Sequence, residues 1–241
     1  MHRKNGFTLI ELLIVITVIA ILAAIAIPSL LGSRLVANEG AAVSMLREIM
    51  RAQMQCRASG AIDINQNGTG EYGFLAELTG AAGIRQLNGQ QSTTPLRPKF
   101  LSPSAIEGVR FLGTPSQGGA FQRSGYYFTV FLPDATAAFV AEAQTGGSSA
   151  ANNPAAQNSE NLWCAYAWPV ERDVTGSRVF FVNHVGVILA APNDVNSSKF
   201  TGPTRGPRAD SAFLRGSPRK LSSPTALGAT GNDRQTWTPV K

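Results

Sequence analysis

Gly6-Phe7-Thr8-Leu9-Ile10-Glu11-Leu12-Leu13 opens the stretch that decides how this chain is built. A short basic leader, Met1 to Gly6 with Arg3 and Lys4, meets an apolar run from Phe7 to Leu31 in which Glu11 is the only charge. A run of about 25 such residues is long enough to cross a bilayer. An ionisable group inside it is costly and marks a functional position. The glycine before the run has no side chain, so its backbone is open to close approach and the chain could be cut there.

Three readings of the segment compete. As an ordinary signal peptide it has a basic start, an apolar core and Ala24-Ile25-Ala26 as an A-x-A cleavage site. Such cores avoid charge, however, and Glu11 interrupts this one at its beginning. As a plain single-pass anchor it has the length but gives no reason for the order Gly-Phe-Thr-Leu-Ile-Glu-Leu. That order resembles the N-terminus of type IV prepilins and pseudopilins, the subunits of thin bacterial envelope filaments, over about Met1 to Leu35.

The resemblance implies that a membrane-embedded prepilin peptidase cuts between Gly6 and Phe7 and that the new Phe7 amine is methylated. It further implies that Glu11, fifth in the mature chain, pairs with the Phe7 amine of a neighbouring subunit. The physics agrees, because unlike charges attract strongly in a low-dielectric filament core and either alone is penalised. Implied partners are the prepilin peptidase, an assembly ATPase with its inner-membrane platform protein, and identical or related pilin subunits. Pro28 stands where a pilin helix bends, and proline in any helix removes one hydrogen bond and favours a kink. Arg3 and Lys4 hold the leader in the cytoplasm under the positive-inside rule. The expected location is therefore the inner membrane before assembly, single-pass, then a periplasmic or cell-surface filament.

Working outward, an amphipathic pattern continues from Ser33 to about Arg57, with Leu35, Ala42, Leu46, Ile49 and then Gln53 or Met54 at helical spacing. Joined to the apolar run, this predicts one helix of roughly 50 residues, on the order of 75 Å, ended by Gly60. Ala61 to Ser124 reads as mostly loop with a short helix over Gly73 to Thr79. Strands are predicted over Tyr126 to Leu132, Leu162 to Val170, Arg178 to Val182 and Val185 to Ala190, the last two forming a hairpin at Asn183-His184. Gln144 to Asn161 is expected to bulge out or to be mobile. The tail from Pro192 carries eight Lys and Arg against three Asp, within a chain of net charge +6. It is rich in Pro, Ser, Gly and Thr, and is expected to be largely irregular.

The expected fold class is α+β and pilin-like: a long N-terminal helix packed on a small antiparallel β-sheet, with long loops and an irregular C-terminal tail. The expected segments are a 1–6 leader, a 7–32 membrane or filament-core half-helix, a 33–58 exported half-helix, a 59–191 globular domain and a 192–241 basic low-complexity tail.

Other motifs are weaker. Gly68-Thr69-Gly70-Glu71-Tyr72-Gly73 matches G-x-G-x-x-G, but no strand precedes it and no βαβ unit surrounds it, which excludes a dinucleotide site. Asp63-Ile64-Asn65-Gln66-Asn67-Gly68 matches the first half of a calcium loop. Phe74 stands where the closing Glu belongs, so Asp63, Asn65, Asn67 and Glu71 make a weak calcium candidate beside the alternative of side chains capping their own turns. No other cofactor or metal is expected. Cys56 and Cys164, the two cysteines, are either bridged or two buried thiols. The basic tail with Tyr126, Tyr127, Trp163 and Trp237 is a minor candidate for nucleic acid or anionic polysaccharide, against the plainer reading of core aromatics and solvated cations.

Catalysis finds no support. His184 is the one histidine beyond the leader, and no H-E-x-x-H or G-x-S-x-G occurs. The chain reads as a structural subunit of a type IV pilus-like filament. The alternatives are a pseudopilin of a type II protein secretion system and an anchored exported binding module that does not polymerise.

Overall fold

The computed structural model describes residues 7–102, 118–194 and 199–240. Helix α1 runs from Leu9 to Ser59. Thr8 caps its start, and Gly60, at φ +64°, ends it in the left-handed conformation that glycine adopts without strain. Neither Pro28 nor Gly40 interrupts it.

The remaining elements are α2 (Leu75–Thr79), β1 (Gly83–Arg85), β2 (Gln91–Pro95), β3 (Phe121–Arg123), β4 (Tyr126–Pro133), β5 (Phe139–Ala141), α3 (Ala156–Ser159), β6 (Cys164–Pro169), β7 (Val179–Asn183), β8 (Leu189–Ala191), β9 (Ala229–Thr230) and β10 (Thr236–Pro239). β1 and β2 form a separate hairpin, and the other eight strands form one sheet in the order β3-β4-β6-β7-β8-β10-β9, with β5 also on β4. Every pairing is antiparallel. The fold is thus α+β and pilin-like, with the long helix against an antiparallel sheet.

Side-chain alternation in the central strands sorts two cores. Tyr126, Phe128, Val130 and Leu132 of β4, Ala165 and Ala167 of β6, and Phe180 and Val182 of β7 face α1, where Ala42, Leu46, Ile49 and Cys56 meet them. The alanines of β6 leave room for the helix to approach. The opposite parity, with Cys164, Tyr166, Trp168 and Phe181, packs under the C-terminal segment. Both faces are covered, so these strands are buried along their whole length instead of alternating with solvent.

The β1–β2 hairpin and the 144–161 loop depart from expectation, while the tail is irregular over most of its length, as expected, and is seated on the domain. Phe200, Phe213, Leu221, Ala226 and Trp237 are buried against the far face of the sheet, and β10 extends the sheet beside β8. Its anchors are few, yet each fully buried aromatic contributes on the order of 2–3 kcal/mol. The β1–β2 hairpin falls in a region read as loop, because Gln91-Ser-Thr-Thr-Pro95 offers no apolar alternation. The 144–161 loop is tied down rather than bulging: Gly147 N–H donates to Glu142, Ser148 Oγ to Gly89 C=O, and Asn153 Nδ2 to Leu87 C=O.

The helix-to-domain junction explains the glycine pattern of residues 68–73. A Cβ on Gly70 would lie 2.0 Å from the Arg57 carbonyl oxygen, so only glycine lets this turn rest on the last turn of α1. Three residues on, the buried Gln53 amide both donates to Gly73 C=O (2.8 Å) and accepts from Gly73 N–H (2.9 Å). Gly70→Ala is therefore expected to destabilise the domain by about 3 kcal/mol, as overpacking against a backbone atom does. For a chain of this size that lowers the melting temperature by roughly 6–12 °C, measurable by circular dichroism of the full chain in detergent. A shift under about 2 °C would show that the junction is loose.

Candidate functional site

The first part of α1 carries the candidate site. Glu39 is the first buried residue of the helix, and the roughly 30 helical residues before it project on the order of 45 Å at 1.5 Å per residue. From Phe7 to Leu31 the large apolar side chains are exposed, Phe7 by 80% and Leu30 by 55%. This is one helix long and apolar enough to cross a membrane. Such an apolar surface is stable only in lipid or against other such helices.

At its tip, Thr8 and Glu11 form a closed capping box. Glu11 N–H donates to Thr8 Oγ1 at 3.3 Å, while the Glu11 carboxylate accepts from Thr8 N–H at 2.8 Å and from Thr8 Oγ1 at 2.7 Å. Glu11 thus sits at the positive end of the helix with its charge drawn toward the residue that follows Phe7. The role of Thr8 had a sequence signal of its own, since T-x-x-E before an apolar run is a capping-box pattern. Gly6 lies outside the described residues, as does the leader. Pro28 lies within the continuous helix between this tip and the domain.

A second cluster, absent from the sequence reading, joins helix to domain where the apolar stretch ends. One Glu39 carboxylate oxygen accepts from Ser177 N–H and Oγ and from Arg178 N–H, and the other accepts Arg178 Nε at 2.7 Å. Asn38 donates beside it to Thr175 C=O. Burial opposes ionisation of Glu39, but the hydrogen bonds from Arg178 and Ser177 prevail and hold its carboxyl below the usual range. Glu39 lies 138 and 139 residues from Ser177 and Arg178, so spacing could not have revealed the clamp.

The remaining candidates resolve differently. Asp63 accepts from Asn67 N–H and Gly68 N–H, Asn65 from Asn67 N–H, and Asn67 from Thr69 N–H, so these side chains cap their own turns. Glu71 does not join them as a ligand from the open side. It points inward, accepts Ile64 N–H and pairs with Arg85 at 2.8 Å, both side chains being fully buried. Asn65 and Asn67 instead donate to Glu160.

Cys56 and Cys164 are unbridged and buried. Cys164 belongs to the parity of β6 that turns away from α1, which puts the two thiols in cores on opposite faces of the sheet. Burial pushes the Cys56 thiol up to about 12. Trp163, Trp237, Tyr126 and Tyr127 are core residues, at most 4% exposed, and offer no stacking platform for nucleic acid. His184 is exposed at the β7–β8 turn.

With this geometry in view, the comparisons with known proteins fall on the same segment. Residues 1–27 match the prokaryotic N-terminal methylation motif. The chain is also similar to the type IV wide pilus major component PilA4 of Thermus thermophilus, 51% identical over 53 residues, which is 22% of this chain and 40% of that relative. No solved structure matches the chain. The similarity therefore spans well under half the length of the relative.

Proposed function

We propose that this chain is a structural subunit of a type IV pilus-like filament, made as a prepilin, cleaved after Gly6 and N-methylated at Phe7. Residues 7–32 hold it in the inner membrane, with the N-terminus cytoplasmic, and then pack against the same segment of related subunits in the filament. Glu11 sets register by pairing with the Phe7 amine of a neighbour. The prepilin peptidase, an assembly ATPase and its platform protein are the machinery this route requires.

The observation that carries the proposal is the uncovered apolar half of α1, bearing a single carboxylate one turn from its start and coinciding with the methylation motif. A pseudopilin would share these features. Similarity to a pilus component favours the pilus.

Mass spectrometry of the mature N-terminus, from membranes and from sheared surface material, tests this. The expected product starts at a methylated Phe7 and is present in the sheared fraction. A chain starting at Ile27, or one retaining Met1, would overturn the proposal. So would loss of exported enzymes on deletion while surface filaments persist, which would assign the chain to secretion.

A further inference from the structure

We propose that the outer edge of β5, with the cleft beside it, docks an extended acidic peptide strand from a partner protein. The cleft has a volume of about 810 Å³ and is lined by Phe139 to Ala141, by loop 150–153 and by Arg208 and Arg219. That size suits several residues of an extended chain.

The first argument is the backbone. Among the described residues β5 pairs with β4 alone, through Phe131↔Ala141, Leu132↔Val140 and Pro133↔Phe139. The Asp134 N–H to Ala138 C=O bond at 2.9 Å sets the phase of this ladder. Hydrogen-bonded and non-hydrogen-bonded pairs alternate along an antiparallel ladder. Val140 therefore directs its N–H and C=O at β4, while Phe139 and Ala141 turn theirs outward. Among the described residues no other strand covers that edge.

An open edge is a template for another strand unless it is guarded by charge, proline or a bulge. β3, on the same side of β4, is guarded: Gln122 and Arg123 are exposed and Arg123 pairs with Glu48. β5 is Phe-Val-Ala, half-exposed and without a guard. The contrast between two strands on one sheet edge marks β5 as the segment left open.

The second argument is charge. Arg208 is exposed and its side chain forms no ion pair among the described residues, while Arg219 pairs with Asp210 at 2.8 Å. Asp134, the one carboxylate among the described residues of the wall, already accepts Thr136 N–H, Thr136 Oγ1 and Ala138 N–H on one oxygen. The third is an unmet acceptor: Asn153 Oδ1 is buried without a donor although its Nδ2 donates to Leu87 C=O.

Alternating donors and acceptors at a strand repeat of roughly 6.8 Å match a second peptide backbone, and not a saccharide or a nucleic acid. Apolar residues of the incoming strand would meet Phe139 and Phe131, and an Asp or Glu would meet Arg208.

The test uses an array of ten-residue peptides of alternating Val and Thr, with Glu, Gln or Lys at each position in turn, probed with the full chain in detergent. Glu peptides should bind at least tenfold more tightly than Gln or Lys ones, and slow amide exchange at residues 139–141. Backbone N-methylation of alternate peptide residues should abolish binding, and Arg208→Glu should reverse the charge preference. Ala141→Pro, which removes one outward N–H at an edge where proline is tolerated, should weaken binding at least tenfold without changing the melting temperature by more than about 2 °C. No binding by any peptide, or equal binding by N-methylated peptides or by the proline variant, would overturn the proposal. The result does not depend on filament assembly, so it stands or falls apart from the pilus reading.

Discussion

Replacing Glu11 by alanine is expected to abolish incorporation of this chain into filaments while leaving its domain folded. Glu11 precedes Glu39, the first buried residue of α1, by 28 positions, on the order of 42 Å along the helix, so its loss touches no domain contact. In the isolated chain its carboxylate rests on the Thr8 cap. Packed among apolar helices, an unpaired carboxylate costs several kcal/mol, and a neighbouring ammonium offsets that cost only at the correct axial position. Alanine removes both the penalty for misplacement and the attraction that rewards correct placement. Sheared surface material should lose the variant by at least tenfold, with the membrane pool intact and the melting temperature unchanged within about 2 °C. Glu11→Gln should fail equally, since it keeps the shape and one acceptor oxygen but not the charge. Normal amounts of either variant in filaments would remove the register role from Glu11.

How much of this was legible in the sequence follows from the range of each interaction. The long helix was readable because its signals are local: an apolar run, a three-to-four-residue stripe, and Gly60 at the end. Even there, Gln53 and not Met54 takes the core position, because its amide is matched by the Gly73 backbone, while Met54 stays 59% exposed. The sheet strands were readable from β-branched and aromatic runs, but not which face each residue takes. That ambiguity left the cysteines undecided, since a one-residue change of parity moves Cys164 from one core to the other. The tail read as irregular, as it is, but composition averages over few anchors and did not show that Trp237 and Phe213 are enough to seat it. At the helix tip the spacing from Gly6 to Glu11 was legible throughout. The clamp around Glu39 was not, for its partners arrive from the β6–β7 connection.

Arg85, Glu71 and Glu77 form a fully buried ion triad in the domain, and removing Arg85 is expected to give the largest loss of stability of any single change there. Arg85 Nη1 pairs with Glu77 at 2.6 Å, and Nη2 pairs with Glu71 at 2.8 Å and donates to Tyr72 C=O at 2.7 Å. All three side chains of the triad are fully shielded from solvent. Glu77 also accepts Phe74 and Arg85 N–H groups, and Glu71 accepts Ile64 N–H, so the network ties α2, β1 and the turn on α1 together. Nearby, Glu142 holds the Leu75, Ala76 and Gly147 N–H groups, and burial pushes it up to about 8. Arg85→Met leaves two buried carboxylates facing each other without a cation, which costs about 3–5 kcal/mol. At roughly 2–4 °C per kcal/mol, the full chain in detergent should melt about 10 °C lower. Protonation relieves the repulsion, which fixes the sign of the pH dependence. Burial already raises the Glu71 carboxyl despite the Arg85 charge, and losing that charge in the variant raises it further. The variant's deficit against the parent is then smallest below the unfolded carboxylate range and grows as pH rises through the raised value. The triple change Arg85→Met, Glu71→Gln, Glu77→Gln should recover much of the loss, because it removes the charges together instead of stranding two of them. A loss under about 1 kcal/mol for Arg85→Met, or a deficit that shrinks with rising pH, would show that the triad does not hold the junction.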